Sequence, residues 1–224
     1  MGERSLSTAA AQLQLALDDT TLSSARTVAA SAADWVDVLE VGTILAVSEG
    51  IGAVRTLREE HPDHVIVADI RIARAGRALA DVAFGAGADW VTVVSEAPLD
   101  TVRGAVGSAQ THGGEVQIEL GHGWSDDDLR QWVDIGVSHA IVHRTHEADA
   151  PVPPWAPEDF EAIERIHDAG LKVTVTGGVT SDQLGAFDGL PVGVVIAGRA
   201  ITSAPDIAAA AKGFRAAMGE IGWR

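Results

Sequence analysis

Short apolar runs rich in Val and Ile recur eight times along the 224 residues, and each is followed by an Ala-rich amphipathic stretch. Period-two and continuous apolar runs read as strands, and the stretches between them carry helix periodicity. The strands are expected at Leu13 to Asp18, Trp35 to Gly42, His64 to Asp69, Trp90 to Ser95, Val116 to Leu120, Ala140 to His143, Lys172 to Thr176 and Val194 to Ala197. Helix starts such as Ser125-Asp126-Asp127-Asp128 and Ser181-Asp182, and stops such as Gly87, Gly136 and Gly170, fall between them. Eight units of about 28 residues suit an α/β fold of the (β/α)8 TIM barrel type, a single domain over residues 1–224. A doubly wound sheet is the competing architecture. The regularity of the units, the lack of a long crossover, and Asp18-Asp19-Thr20 in place of a G-x-G-x-x-G turn after the first strand favour the barrel. Ala-Asp-Trp-Val at 33–36 and again at 88–91 suggests one loop-to-strand corner used twice.

Charge and composition narrow the function. Thirty-two acidic against 16 basic side chains give a formal net charge of −16, which repels nucleic acid and anionic membrane. Any anionic ligand must then meet a local positive pocket. The absence of cysteine excludes disulfides, thiolate zinc sites and thiol nucleophiles. With no signal-peptide pattern at the N-terminus and no apolar run of membrane-spanning length, a cytoplasmic protein is expected.

In a (β/α)8 barrel the chemistry sits at the C-terminal ends of the strands. Those ends are polar here: Asp18, Glu40, Asp69 and Glu119, then His143-Arg144, Thr176-Gly177-Gly178 and Gly198-Arg199. Carboxylates converging on one mouth repel one another and call for a cation. Oxygen ligands without cysteine point to Mg2+ or a similar hard ion, with Glu40 and Asp69, on neighbouring strands, as its ligands. Helix capping, or pairing with arginines such as Arg71, is the bland alternative for those two carboxylates. Gly177, Gly178 and Gly198 allow close backbone approach, and Arg199 adds a bidentate donor, so the last two strand ends read as a phosphate cradle. His61, His64, His112 and His167 read as solvated, Trp35, Trp90 and Trp132 as packing between helices and barrel, and His122 and Trp124 as a loop folded over the mouth.

The segments LQLALD, VLEVGTIL, ADWVTV, VQIEL, HR, KVTVTGGV and IAGRAI, in this order from Leu13 to Ile201, closely resemble the orotidine 5'-monophosphate decarboxylase superfamily. The resemblance is to its 3-keto-L-gulonate 6-phosphate decarboxylase branch, with 3-hexulose 6-phosphate synthase as a related activity. It implies a homodimeric Mg2+-dependent barrel in which a phosphorylated β-keto acid loses CO2 through an enediolate. By motif position, Glu40 and Asp69 would hold the metal, and Asp18 and Glu119 would hold substrate hydroxyls or order the site. His143 would lie near the carbon that is reprotonated, and Thr176, Gly177, Gly178, Gly198 and Arg199 would line the phosphate.

Strand 3 departs from the family's D-x-K-x-x-D pattern, reading Asp69-Ile70-Arg71-Ile72-Ala73-Arg74. His146 stands where the decarboxylases usually carry Arg. A guanidinium stays charged and is a poor acid, so Arg71 can stabilise an oxyanion while protonation falls to water or His143. Arg74 would bring a positive charge to the partner subunit's site in place of an aspartate. The only lysines, Lys172 at the start of strand 7 and Lys212 in the last helix, are both misplaced for Schiff-base chemistry. The resulting expectation is a Mg2+-dependent decarboxylase of a 3-keto sugar acid phosphate. A hexulose phosphate synthase-type aldol lyase and a diverged barrel that only binds a sugar phosphate are the alternatives.

Overall fold

The computed structural model describes residues 11–144 and 152–224. Eight parallel strands close into a barrel in chain order: β1 (Gln12–Leu17), β2 (Val38–Val41), β3 (Val65–Ile72), β4 (Trp90–Val94), β5 (Glu115–Glu119), β6 (His139–His143), β7 (Lys172–Thr176) and β8 (Val192–Ala197), the last pairing back onto β1. Each strand's outward face packs on helices. Leu13, Leu15 and Leu17 of β1 are fully buried there, in the large apolar layer between barrel and helices. Removing such a side chain from water contributes roughly 1.5–3 kcal/mol, so this layer rather than the barrel interior supplies most of the fold's apolar burial. The inward face is mixed: Ala16, Val38, Val67, Ile141, Val194 and Ile196 form a small apolar cluster, interleaved with buried Gln14, Thr92, Gln117, His139 and Thr174.

The units are less uniform than the expected repeat. After β2 two helices follow, Thr43–Glu49 and Gly52–Glu60, and only a 3-10 segment, Ser181–Phe187, follows β7. Helix 126–135 starts as anticipated, with Ser125 and Asp128 in a reciprocal capping box and Gly136 in the left-handed conformation at its end. Helices 76–85 and 99–112 approach closely because Gly76 has no side chain; a Cβ there would lie 1.8 Å from the Thr101 carbonyl oxygen.

Three sequence expectations require correction. Trp90 faces into the barrel rather than outward, 4.5 Å from the His139 ring, because it is the first inward residue of β4. The repeated tetrapeptide does not mark equivalent corners: Ala33–Trp35 is a 3-10 turn, whereas Trp90 begins a strand. The equivalent positions are Asp37 and Asp89, each immediately before its strand. Asp37 accepts the Leu13 N–H at 2.7 Å and pairs with Arg215, and Asp89 accepts the Ile66 N–H at 2.7 Å and pairs with Arg58. His61 and His64 are half-buried rather than solvated, and a His64 ring nitrogen lies 2.9 Å from the Ala33 carbonyl oxygen.

Candidate active site

A cavity of about 730 Å³ opens at the C-terminal ends of the strands, and Asp18, Glu40, Asp69, Arg71, Glu119 and His143 all line it. Alternation along each strand explains the convergence. Glu40, Asp69, Glu119 and His143 share the inward parity of their strands, and Asp18 continues that of β1 one residue past its end. Asp18 reaches its place because Gly42 has no side chain; a Cβ there would lie 2.2 Å from Asp18 Oδ1.

Asp69 is the most tightly held. Thr92 Oγ1 donates to its Oδ1 at 2.7 Å, and Thr43 Oγ1 donates to its Oδ2 at 2.7 Å. The strand bulges just beyond it: the register between β3 and β4 shifts between Ala68 and Ile72, and Arg71 has a left-handed φ of 44°. That bend lets the Arg71 N–H donate to Thr92 Oγ1 at 3.0 Å and swings its guanidinium over the mouth. Arg71 Nε then lies 3.0 Å from Glu119 Oε2 and 3.6 Å from Asp69 Oδ2. The other Glu119 oxygen, Oε1, is 2.6 Å from His143 Nδ1. Glu119 therefore joins the arginine to the imidazole, and with a proton on Nδ1 the other ring nitrogen is left as the working atom.

The electrostatics divide the carboxylates. Burial, then the neighbouring charge of Asp69, pushes the Glu40 carboxyl well above its ordinary range; the Gln14 amide, donating to Glu40 Oε2 at 2.5 Å, opposes this only in part. Asp18 is raised by burial and by Asp69. For Glu119 burial also acts upward, but the His143 hydrogen bond and the charges of Arg71 and His143 outweigh it and hold the carboxyl below its usual value. The mouth thus contains one carboxylate compensated by its partners, Glu119, and others that crowd Asp69 with less positive charge nearby. Among the described residues no three His, Asp or Glu side chains form a ready-made ligand cage. Glu40 and Asp69 suit a hard divalent ion that takes one or two protein carboxylates and fills its remaining positions with water and substrate oxygens, as Mg2+ does.

The same cavity is lined at the ends of β7 and β8, between β6 and β1, by Thr176, Gly177, Gly178, Gly198 and Arg199. Gly177 has φ 101°, and a Cβ on it would lie 2.4 Å from the Arg144 carbonyl oxygen, so only glycine fits. Arg144 itself is buried, stacks 4.0 Å above the Trp155 ring and donates to the Pro153 carbonyl, so it supports the loop rather than facing the cavity.

Arg74 does not join the cavity. It is exposed, with its Nη1 donating to the Ala73 carbonyl at 3.2 Å. His146 lies outside the described residues. His122 and Trp124 do not line the cavity either; Trp124 packs on the core beneath the Arg165 guanidinium, 4.3 Å from its ring, because the loop folds back on helix 157–168. Thr43 and Thr92 were missed by sequence reasoning. Their signal was their place, in the segments VLEVGTIL and ADWVTV that flank the acidic strand ends.

The chain matches known proteins over nearly its whole length. The Orotidine 5'-phosphate decarboxylase / HUMPS family model matches residues 11–214. The chain is 45% identical over 209 residues to the 3-keto-L-gulonate-6-phosphate decarboxylase SgbH of Escherichia coli, covering 93% of this chain and 95% of that protein. Among solved structures, a ligand complex of the KGPDC from Streptococcus mutans superposes with a TM-score of 0.91 at 37% identity, over 94% of this chain and 98% of that one. A 3-hexulose-6-phosphate synthase structure gives 0.84 at 33% identity, over 92% and 99%. The closed parallel barrel and the extent of these matches lead to one conclusion: the chain belongs to the Orotidine 5'-phosphate decarboxylase / HUMPS family.

Proposed function

We propose that the protein is a Mg2+-dependent decarboxylase of a phosphorylated 3-keto sugar acid such as 3-keto-L-gulonate 6-phosphate. The observation that carries this reading is the sorting of one cavity into two halves. Gly177, Gly178, Gly198 and Arg199, at the ends of β7 and β8, suit a phosphate, and Glu40, Asp69, Arg71, Glu119 and His143 gather at the ends of β2, β3, β5 and β6. A substrate anchored by its phosphate would present its keto-acid end to the second half. Loss of CO2 breaks the C1–C2 bond; the electron pair forms the C2–C3 double bond, and negative charge collects on the C3 oxygen. Glu40 and Asp69 would hold Mg2+, whose divalent charge stabilises that oxyanion when bound.

Arg71 adds a permanent positive charge over the same mouth, because a guanidinium stays protonated and is a poor acid. His143, held through Nδ1 by Glu119, would as the imidazolium deliver its Nε2 proton to C2 and return to the neutral ring, with water as the alternative donor. Asp18 sits where it can accept from substrate hydroxyls. His146 completes this reading as a further substrate contact.

Arg74, exposed beside helix 76–85, is assigned to the partner's site in a homodimer. Exposed Ile44 and Val47 on helix 43–49, and Leu79 and Val82 on helix 76–85, the helix that follows Arg74, supply apolar surface for such a contact. The net charge of −16 and the absence of cysteine favour a cytoplasmic protein acting on a small metabolite rather than on nucleic acid or membrane.

Purified protein supplied with 3-keto-L-gulonate 6-phosphate should release CO2. Condensation of formaldehyde with ribulose 5-phosphate at a higher kcat/KM would assign it to the synthase reaction, and binding of the phosphate ester without turnover of either would make it a binding barrel.

A further inference from the structure

The barrel interior below the mouth carries polar side chains that the chemistry above does not use. Strands β1, β5 and β7 turn Gln14, Gln117 and Thr174 inward, and all three are buried, at 1%, 0% and 0% exposure. Followed around the barrel, the strand registers place them with Val67 at one level, a layer of four from alternate strands. The two amide nitrogens are committed in opposite directions. Gln14 Nε2 donates toward the mouth, to Glu40 Oε2 at 2.5 Å, and Gln117 Nε2 faces the other end, 3.1 Å from His139 Nδ1. His139 Nε2 in turn lies 2.5 Å from Glu115 Oε2, on a side chain 43% exposed at the far end of the barrel.

Gln14 Oε1, Gln117 Oε1 and Thr174 Oγ1 remain, buried and without a hydrogen-bond partner among the described residues. An unpaired buried polar group lowers the folding equilibrium constant roughly fivefold to more than a hundredfold, so three in one layer demand a ligand. Two carbonyl acceptors and one hydroxyl match the capacity of one water molecule, which donates to each carbonyl and accepts from the hydroxyl. Three hydrogen bonds is the usual number for a buried water. A larger or charged ligand is excluded by the apolar neighbours above and below, among them Ile141, Ile196 and Val194.

We propose that the middle of the barrel is a binding site for one structural water held by Gln14, Gln117 and Thr174, and that this water makes Gln14 a positioning residue for Glu40. By taking up the Gln14 carbonyl it fixes the amide with its NH2 toward the mouth, the only orientation that gives Glu40 a donor. The same logic fixes the Gln117 amide and makes its NH2 the donor to His139 Nδ1, leaving the His139 proton on Nε2. The water site stands on the barrel geometry alone; the role of Gln14 rests on the reading of Glu40 as a metal ligand.

Three measurements test this on the full chain. A high-resolution crystal structure should show one water within hydrogen-bonding distance of all three atoms; direct pairing among the side chains, with no water, overturns the site. Thr174→Val should lower the folding equilibrium constant about fivefold, while Thr174→Ser keeps the water in its crystal structure. Equal or greater stability of Thr174→Val would mean that the hydroxyl has no partner to lose, which also overturns the site. For the positioning role, calorimetric titration of Mg2+ into metal-free protein should show Gln14→Leu binding about 10- to 100-fold more weakly than wild type. Unchanged affinity overturns that role. Failure of the wild type to bind Mg2+ removes the role together with the metal reading, and the water site is then judged by the first two measurements.

Discussion

Arg71→Met removes the Arg71 guanidinium from the acidic half of the mouth while keeping an unbranched, uncharged stem. The backbone is left alone, because Met and Arg carry the same penalty at a φ of 44°. Two unit charges 3.0 Å apart, the Arg71 to Glu119 distance, attract with a gross energy of about 5 kcal/mol at an effective dielectric of about 20. The Arg71 side chain is 45% exposed, so most of that is lost to solvent, and a net stability change of about 1 kcal/mol is expected. The effect on rate should be larger. A cation aimed at charge that develops only in the transition state is worth about 10²- to 10³-fold in kcat, as for other preorganised oxyanion donors. Steady-state CO2 release, read beside a thermal melt, separates the two. The expected result is a melt within a few degrees of wild type with kcat reduced at least a hundredfold, and Arg71→Lys recovering part of the loss. A kcat within threefold of wild type would refute the placement of Arg71 at the reacting atoms. A proportional loss of kcat and stability would show that its role is only structural.

Further outcomes follow from the same geometry. Because burial and Asp69 raise the Glu40 carboxyl, the folded protein holds that proton more tightly than the unfolded chain, so Glu40 favours folding below the ordinary carboxyl range and loses that contribution as pH rises through its elevated value. Metal-free protein should therefore lose stability between mildly acidic and neutral pH, and Glu40→Gln should flatten that part of the pH–stability curve in denaturant titrations. Gly177→Ala places a Cβ 2.4 Å from the Arg144 carbonyl oxygen on a backbone with φ 101°, and should raise KM for the phosphorylated substrate at least tenfold with a smaller change in kcat. Val47→Glu, at a side chain 82% exposed on the face assigned to the partner subunit, should yield a monomer by analytical ultracentrifugation; an unchanged sedimentation coefficient would place the interface elsewhere.

The barrel was legible because alternation of strand and helix is encoded locally, and the eight predicted runs overlap the eight observed strands. Its irregularities were not. The extension of β3 through Arg71 and Ile72 depends on a bulge that no hydrophobic pattern records. Trp90 reads as outer-layer packing from composition, yet its parity puts it inside, where it meets His139. At the site, charged groups at strand ends announced themselves, and Asp18, Glu40, Asp69, Arg71, Glu119 and His143 do share one cavity. The side chains that organise them did not, since Thr43, Thr92 and Gln14 carry no charge and stand in segments that otherwise read as strand or helix. Arg74 shows the opposite limit: its motif position is clear, but within one chain it does not line the cavity.

On the proposed reading, this mouth supports decarboxylation with a hard divalent ion on Glu40 and Asp69. The most direct test is CO2 release from 3-keto-L-gulonate 6-phosphate by EDTA-treated protein, followed as Mg2+ is restored. Negligible release without metal, saturable recovery with Mg2+, and no recovery in Asp69→Asn are expected. Full turnover in the presence of EDTA, or none at any Mg2+ concentration, would contradict that reading.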